Sequence, residues 1–208
     1  MIQRAVKRLF DVVGGSLALV VLSPIIVAVA ATVRARIGSP VLFRQIRPGR
    51  NGEPFQIIKF RTMTDERAPD GVLLPDDERL GDTGRRLRRW SLDELPELVN
   101  VVTGDMSLVG PRPLLMRYLP LYTTDQARRH EVRPGLTGMA QISGRNDLAW
   151  ERRFELDVWY VDNWSVWLDL KILVMTVGRV FTGRGVSEQG GATMSLFEGS
   201  SRDERNGG

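Results

Sequence analysis

The stretch that most limits what this chain can fold into runs from Val12 to Val33. It is almost unbroken apolar sequence, preceded by Arg4, Lys7, Arg8 and Asp11 and closed by Arg34 and Arg36. The run is about long enough to cross a hydrocarbon core at ~20 residues per crossing. Three readings compete for it. A secretory signal peptide accounts for the basic start and for the small residues Ala28-Val29-Ala30, which resemble a cleavage site, but the run exceeds the usual ~7–15 residues and opens on Asp11. A straight transmembrane helix would show unequal positive charge at its two ends, and here both flanks are basic. The third reading is a re-entrant helix that enters and leaves on one side. Ser23-Pro24 falls mid-run, where proline removes an amide and bends the helix while serine re-satisfies a freed backbone group.

Beyond that segment, 208 residues suffice for one domain with a buried core, with or without a small appendage. The chain has no cysteine and one histidine, His130, which excludes disulfides and thiolate metal sites and argues against zinc. Any metal should be hard and oxygen-bound, and Mg²⁺ is the natural candidate. Lys7, Lys59 and Lys171 are the only lysines; every other basic side chain is an arginine. Arginine is the better bidentate partner for phosphate, so the balance leans towards phosphate-bearing ligands or lipid head groups, unless it reflects genomic bias. No nucleic acid partner is expected.

Ser91-Leu92-Asp93-Glu94-Leu95-Pro96-Glu97-Leu98 sets two adjacent carboxylates directly after Arg85-Arg86-Leu87-Arg88-Arg89. Ser91 with Glu94 reads as a capping box for a helix through Val102. Against that, Pro96 would then fall just past the first turn, where its ring presses on a carbonyl, so a kink is expected at the acid pair. Further on, Pro111-Arg112-Pro113 presents an arginine on a rigid loop, which suits anion recognition.

Val41-Leu42-Phe43 and Phe55 to Phe60 read as two strands, joined through Pro48-Gly49 and Asn51-Gly52 as a β-hairpin. Lys59 and Arg61, near the end of the second strand, are phosphate ligands or a solvated edge. Residues 64 to 84 read as a polar loop or lid. Arg85 to Trp90 reads as a short interfacial helix with Leu87 and Trp90 on one side. Leu114 to Arg129 reads as helical with a break at Pro120, Arg133 to Gly138 as a turn, Met139 to Ile142 as a short strand and Ser143 to Asn146 as a loop. His130 reads as a surface residue rather than a base. The aromatic residues from Trp150 to Trp167 form an interfacial belt, a dimer interface or internal packing. Leu168 to Phe181 is an apolar helix too short to span, and residues 199 to 208 are a polar tail.

The ordered motifs Lys7-Arg8-Leu9-Phe10-Asp11, Ser23-Pro24, Lys59-Phe60-Arg61-Thr62-Met63, Ser91 to Pro96, Val109 to Pro113, Arg133-Pro134-Gly135 and Leu156 to Val161 together resemble the bacterial sugar transferases. Within them the chain is similar to the small monotopic phosphoglycosyltransferases of the PglC type. The resemblance covers the chain to about Gly199. It departs at Met139, where tryptophan is frequent, at Ser143, where asparagine is, and at Gly190-Gly191, where a histidine often follows glycine.

The resemblance implies a mainly helical α+β fold. Residues 1 to 36 would form a re-entrant helix-break-helix with its break at Ser23 and Pro24. Residues 37 to 198 would form a small cytoplasmic α/β catalytic domain with interfacial amphipathic helices, followed by the tail. It further implies a UDP-sugar donor and a polyprenyl phosphate acceptor, normally undecaprenyl phosphate, joined at the cytoplasmic leaflet of the inner membrane with Mg²⁺. Asp93 would be the nucleophile and a metal ligand, and Glu94 a second acid assisting metal or proton handling. Lys59, Arg88 and Arg112, the last with Pro111 and Pro113, would bind phosphate. An N-acetylated UDP-hexosamine or its bacillosamine-like derivative is the sugar the family suggests. The runner-up is a non-catalytic membrane-bound module that holds nucleotide sugar or lipid phosphate for a partner enzyme.

Overall fold

The computed structural model describes residues 2–144, 148–182 and 196–199. Its first element, α1 (Ile2–Arg36), is a helix of 35 residues, about 50 Å long at 1.5 Å per residue. Ala18, Leu19 and Leu22 pack against one core cluster, which includes Val101, Met106 and Leu108. Ile26, Val29, Ala30 and Val33 pack against a second one, with Phe60 and Leu87. The spacing of three and four residues places these side chains on one stripe. Leu9, Val13, Leu17, Val20, Val21 and Val27 are exposed on the remaining surface. The domain therefore holds one stripe of α1 along its length and leaves an apolar one uncovered.

Pro24 lies inside this continuous helix, so the break expected at Ser23 and Pro24 does not appear as two separate segments. Ser23 Oγ donates to the Val20 carbonyl at 2.8 Å, supplying the bond that proline cannot.

The basic start of α1 is spent on packing. Arg8 Nη1 and Nη2 donate to the carbonyls of Val101 and Val102, each at 2.6 Å, at the end of α4 (Glu97–Thr103). Such a cation complements the negative end of a helix. Lys7 Nζ lies 3.2 Å from Asp11 Oδ1 and 2.6 Å from Asp169 Oδ2, with both carboxylates buried. Asp11 Oδ1 also accepts from Ser107 Oγ and the Leu108 amide, at 2.9 and 3.0 Å.

The hairpin forms as expected, with β1 (Leu42–Pro48) antiparallel to β2 (Pro54–Phe60). Its turn places Asn51 and Gly52 at positive φ, 56° and 77°, which these two residue types tolerate. Only β1 pairs with β2 in the sheet. On the other side of β2, Asn100 on α4 accepts from the Ile58 amide at 3.1 Å and donates to the Gln56 carbonyl at 2.8 Å. One side chain thus fixes β2 against α4.

Residues 64 to 84 contain α2 (Asp76–Arg79) and the start of α3 (Asp82–Arg89). Leu87 is buried in the cluster that includes Val29 and Val33 of α1, while Trp90 at the end of this helix is exposed. The span from Leu114 to Arg129 is 3₁₀ over Met116–Leu121, then α5 (Thr124–Ala127), then 3₁₀ again from Arg128.

Two further expectations are overturned. The turn at 133–138 contains β4 (Gly135–Thr137), parallel to β3 (Ser107–Val109). Met139–Ser143 is helical, α6, rather than a strand. Further along lie α7 (Trp150–Asn163) and α8 (Val166–Thr182). Trp150 and Phe154 pack internally around Tyr118, Tyr122 and Phe197, whereas Trp159 and Trp167 stay exposed. Gly190-Gly191 and residues 200–208 lie outside the described residues, as do Arg145 and Asn146 of the Ser143–Asn146 loop.

Candidate active site

The acid pair sits on a strained turn. Ser91 adopts the left-handed conformation, φ 52° and ψ 26°, and its side chain makes no cap hydrogen bond to the turn that follows, so the expected capping box does not form. That conformation is costly for a non-glycine residue and marks sites held by their surroundings. It ends α3 and starts a 3₁₀ turn, Leu92–Glu94, after which Pro96 leads into α4. The kink expected at the pair is therefore real, and it points Asp93 inward at 8% exposure.

Glu94 lies between two cations. Lys59 Nζ donates to Glu94 Oε1 at 3.0 Å, and Arg112 Nη2 donates to the same oxygen at 2.5 Å. Lys59 reaches it because β2 alternates: Phe55, Ile57 and Lys59 share the face packed on α4. Lys59 Nζ also lies 2.9 Å from Oε1 of Glu97, one helical turn beyond Glu94. Arg88 donates from Nε to Thr62 Oγ1 at 3.0 Å. Burial lowers its guanidinium, and the negative charge of Asp93 opposes that shift.

These surroundings separate the three carboxyls. Burial raises Asp93, and Glu94 beside it raises it further against the pull of Lys59, Arg88 and Arg112. Burial would raise Glu94 too, but Arg112 and Lys59 outweigh it and hold this carboxyl far below the usual range. Glu97 is pushed up to about 7 by burial, with Glu94 adding to the rise and Lys59 opposing it. Burial lowers Lys59, and Glu94 with Glu97 more than reverses this, so its ammonium is held charged. Neighbouring groups with divergent proton affinities are a mark of reactive sites.

The loop carrying Arg112 is held by main-chain contacts. The Gly110 amide donates to the Thr137 carbonyl at 2.9 Å, and the Gly135 amide to the Pro111 carbonyl at 3.0 Å. A Cβ on Gly110 would lie 2.5 Å from the Arg133 carbonyl oxygen, and one on Gly135 2.0 Å from the Gly110 nitrogen. Pro111 and Pro113, both buried, flank Arg112. From behind, Arg129 Nη2 donates to the Arg112 carbonyl at 2.8 Å while the same guanidinium pairs with Asp157 on α7 at 2.6 Å. The Leu156-to-Val161 motif thus reaches the site through a buried ion pair.

The structure brings Asp93, Glu94, Lys59, Arg88 and Arg112 together; Ser23 and Pro24 belong to α1. Sequence reasoning missed Glu97, although its position three residues after Glu94 on a helical path is a same-face signal. It also missed the brace of Arg129 and Asp157, which join only through tertiary contact. His130 is half-buried rather than at the surface: its ring lies against Tyr122, and Nδ1 is 3.2 Å from the Gly49 carbonyl. Burial, with Arg129 beside it, lowers it to about 4.

Among the described residues no group of three or more His, Cys, Asp or Glu side chains is placed to hold a metal. Mg²⁺ typically takes one or two carboxylates plus substrate phosphates. Asp93 with a phosphorylated ligand meets that requirement, whereas Glu94 Oε1 already takes two cationic donors.

Residues 2–183 match the family model described as bacterial sugar transferase. The uncharacterized sugar transferase EpsL of Bacillus subtilis is 60% identical over 93% of this chain and 96% of its own length. The exopolysaccharide production protein ExoY of Rhizobium meliloti is 40% identical over 86% of this chain and 87% of its own. The UDP-glucose:undecaprenyl-phosphate glucose-1-phosphate transferase of Klebsiella pneumoniae is 42% identical over 86% of this chain, which spans 40% of that longer protein. With the match running from the first turn of α1 to the end of α8, the chain belongs to the bacterial sugar transferase family.

Proposed function

We propose that the protein transfers a sugar-1-phosphate from a UDP-sugar to undecaprenyl phosphate, releasing UMP and forming a polyprenyl-diphosphate sugar. The relative named as a glucose-1-phosphate transferase to that lipid supports the reaction class. The observation that carries the mechanism is the division of labour at the acid pair. Glu94 is neutralised by Lys59 and Arg112, while the adjoining Asp93 is buried with a raised proton affinity.

A Glu94 committed to two cations serves as an anchor, and Asp93 is the carboxylate positioned to react. In the first step an Asp93 oxygen attacks the β-phosphorus of the donor. The bond from that phosphorus to the bridging oxygen breaks, and UMP leaves with the electron pair. In the second step an oxygen of the lipid phosphate attacks the aspartyl phosphosugar and the Asp93 carboxylate departs. Splitting one displacement into two in this way is ordinary nucleophilic catalysis. Lys59, Arg88 and Arg112, gathered around the acid pair, would offset the negative charge of the diphosphate, and preformed cations cost no reorganisation during reaction. Asp93 and the donor phosphates would hold Mg²⁺, which when bound neutralises diphosphate charge.

The membrane reading follows from α1. A helix attached to one domain by Arg8 near its start and by Val33 near its end does not carry that domain's two contacts to opposite sides of a bilayer. With basic flanks and the Ser23-Pro24 step, this supports a re-entrant, monotopic helix on the cytoplasmic face. The exposed Trp167, Val174 and Val177 of α8 supply an interfacial surface.

The test is nucleotide release from the full chain with Mg²⁺, undecaprenyl phosphate and a panel of UDP-sugars, with UMP resolved from UDP. Lipid-dependent UMP supports the reading. Release of UDP would mean glycosyl transfer and refute it.

A further inference from the structure

Arg47 has no task in the reaction above, yet the fold brings it to the same site. In the hairpin register Arg47 faces Phe55, Gln45 faces Ile57, and Phe43 faces Lys59. Opposed residues share a face, so Arg47, Gln45 and Lys59 all project towards α4. Arg47 Nη2 donates to Gln45 Oε1 at 2.6 Å, so its guanidinium reaches back along the strand towards the Lys59 end. There burial lowers it to about 10, the positive charge of Arg112 adds to that shift, and Glu97 opposes it without forming an ion pair.

The two guanidiniums differ in their counter-charges. Arg112 is paired with Glu94. Among the described residues Arg47 forms no ion pair, and its Nε is buried with no acceptor. A buried cationic donor beside a second cation is unfavourable unless an anion joins them. Arg112 lines a narrow crevice walled by Pro48, Pro111 and Pro113, and Pro48 directly follows Arg47 in β1.

We propose that Arg47 is a further phosphate-binding residue, which together with Arg112 grips the diphosphate of the nucleotide donor. The assignment rests on the proposed reaction for the identity of the ligand. Unlike Lys59 and Arg112, Arg47 forms no ion pair with a carboxylate among the described residues, so its contribution is gained only when the donor binds. The lipid phosphate offers the same chemistry from another source, and the experiment separates the two.

The full chain in nanodiscs, with Mg²⁺, is titrated with UDP and with uridine, and the KM for undecaprenyl phosphate is taken from UMP release. Arg47→Gln is expected to weaken UDP about tenfold or more, the weight of one charge-assisted bond. Uridine affinity and the lipid KM should stay unchanged, and Arg47→Lys should recover part of the loss. An unchanged UDP affinity overturns the proposal. So does an equal loss for UDP and uridine, which would mark a structural role, and so does a raised lipid KM without a change for UDP. If the unmodified protein binds UDP yet releases no UMP, the reaction fails while Arg47 is still judged on UDP binding.

Discussion

Ser23 Oγ donates to the Val20 carbonyl at 2.8 Å, and Val20 is the residue whose carbonyl Pro24, four positions on, cannot serve with an amide. The two residues act as a unit: proline removes one bond and serine replaces it. Ser23→Ala is expected to lower the thermal stability of the micelle-bound protein by about 0.5–1.5 kcal/mol. Adding Pro24→Ala should remove that penalty, because residue 24 then has an amide. Equal penalties in the single and double variants would show that the hydroxyl does not substitute for the missing donor.

Asp93→Asn should reduce UMP release by about 10³-fold or more, since it removes the proposed nucleophile rather than a binding contact. Glu94→Gln should cost less, about 10²-fold, and should also raise the KM for the UDP-sugar, because Lys59 and Arg112 lose the anchor that orients them. Initial-rate kinetics on both variants checks the ordering. Near-normal turnover by Asp93→Asn would reassign the nucleophile.

Glu97 gives a pH signature. Its carboxyl sits at about 7 in the folded chain against an ordinary 4.5. The folded state therefore retains a proton that the unfolded state has released, and stability falls as pH rises from about 4.5 to 7. Glu97→Gln should flatten that part of the stability curve relative to the unmodified protein. Denaturant titrations at pH 4.5, 6 and 7.5 measure the difference, and parallel curves would exclude a raised Glu97.

Lys7→Met is expected to destabilise the protein by about 3–5 kcal/mol, because it leaves Asp11 and Asp169 buried without their shared cation. Restoring about half of the loss with an added Asp169→Asn would identify repulsion as the cause. Urea unfolding of the two variants decides this.

The parts of the site that were legible in the sequence rest on local signals. Asn51-Gly52 predicts the turn of the hairpin that carries Lys59, and Pro96 predicts the kink at the acid pair. The failures depend on contacts distant in sequence. Gly135–Thr137 becomes a strand only because Ser107–Val109 lies beside it, and three residues have no periodicity of their own. Ser91 carries the composition of a cap, but the turn into Asp93 forces it left-handed. Lys7 and Arg8 resemble a membrane flank in sequence, and their bonds to Asp169, Val101 and Val102 cross the whole chain. Arg47 is masked in the same way, since its place beside Arg112 depends on the hairpin packing on α4.

The meeting of Gly110 with Gly135 has a consequence for how such a protein diversifies. Where two backbones touch with no side chain between them, there is no graded series of substitutions to explore: alanine on either side already places a carbon within 2.5 Å of main-chain atoms. Arg112 therefore stands on ground that drift cannot shift in small steps. A lineage that changes its sugar must do so with residues elsewhere and inherit the loop that carries Arg112 intact.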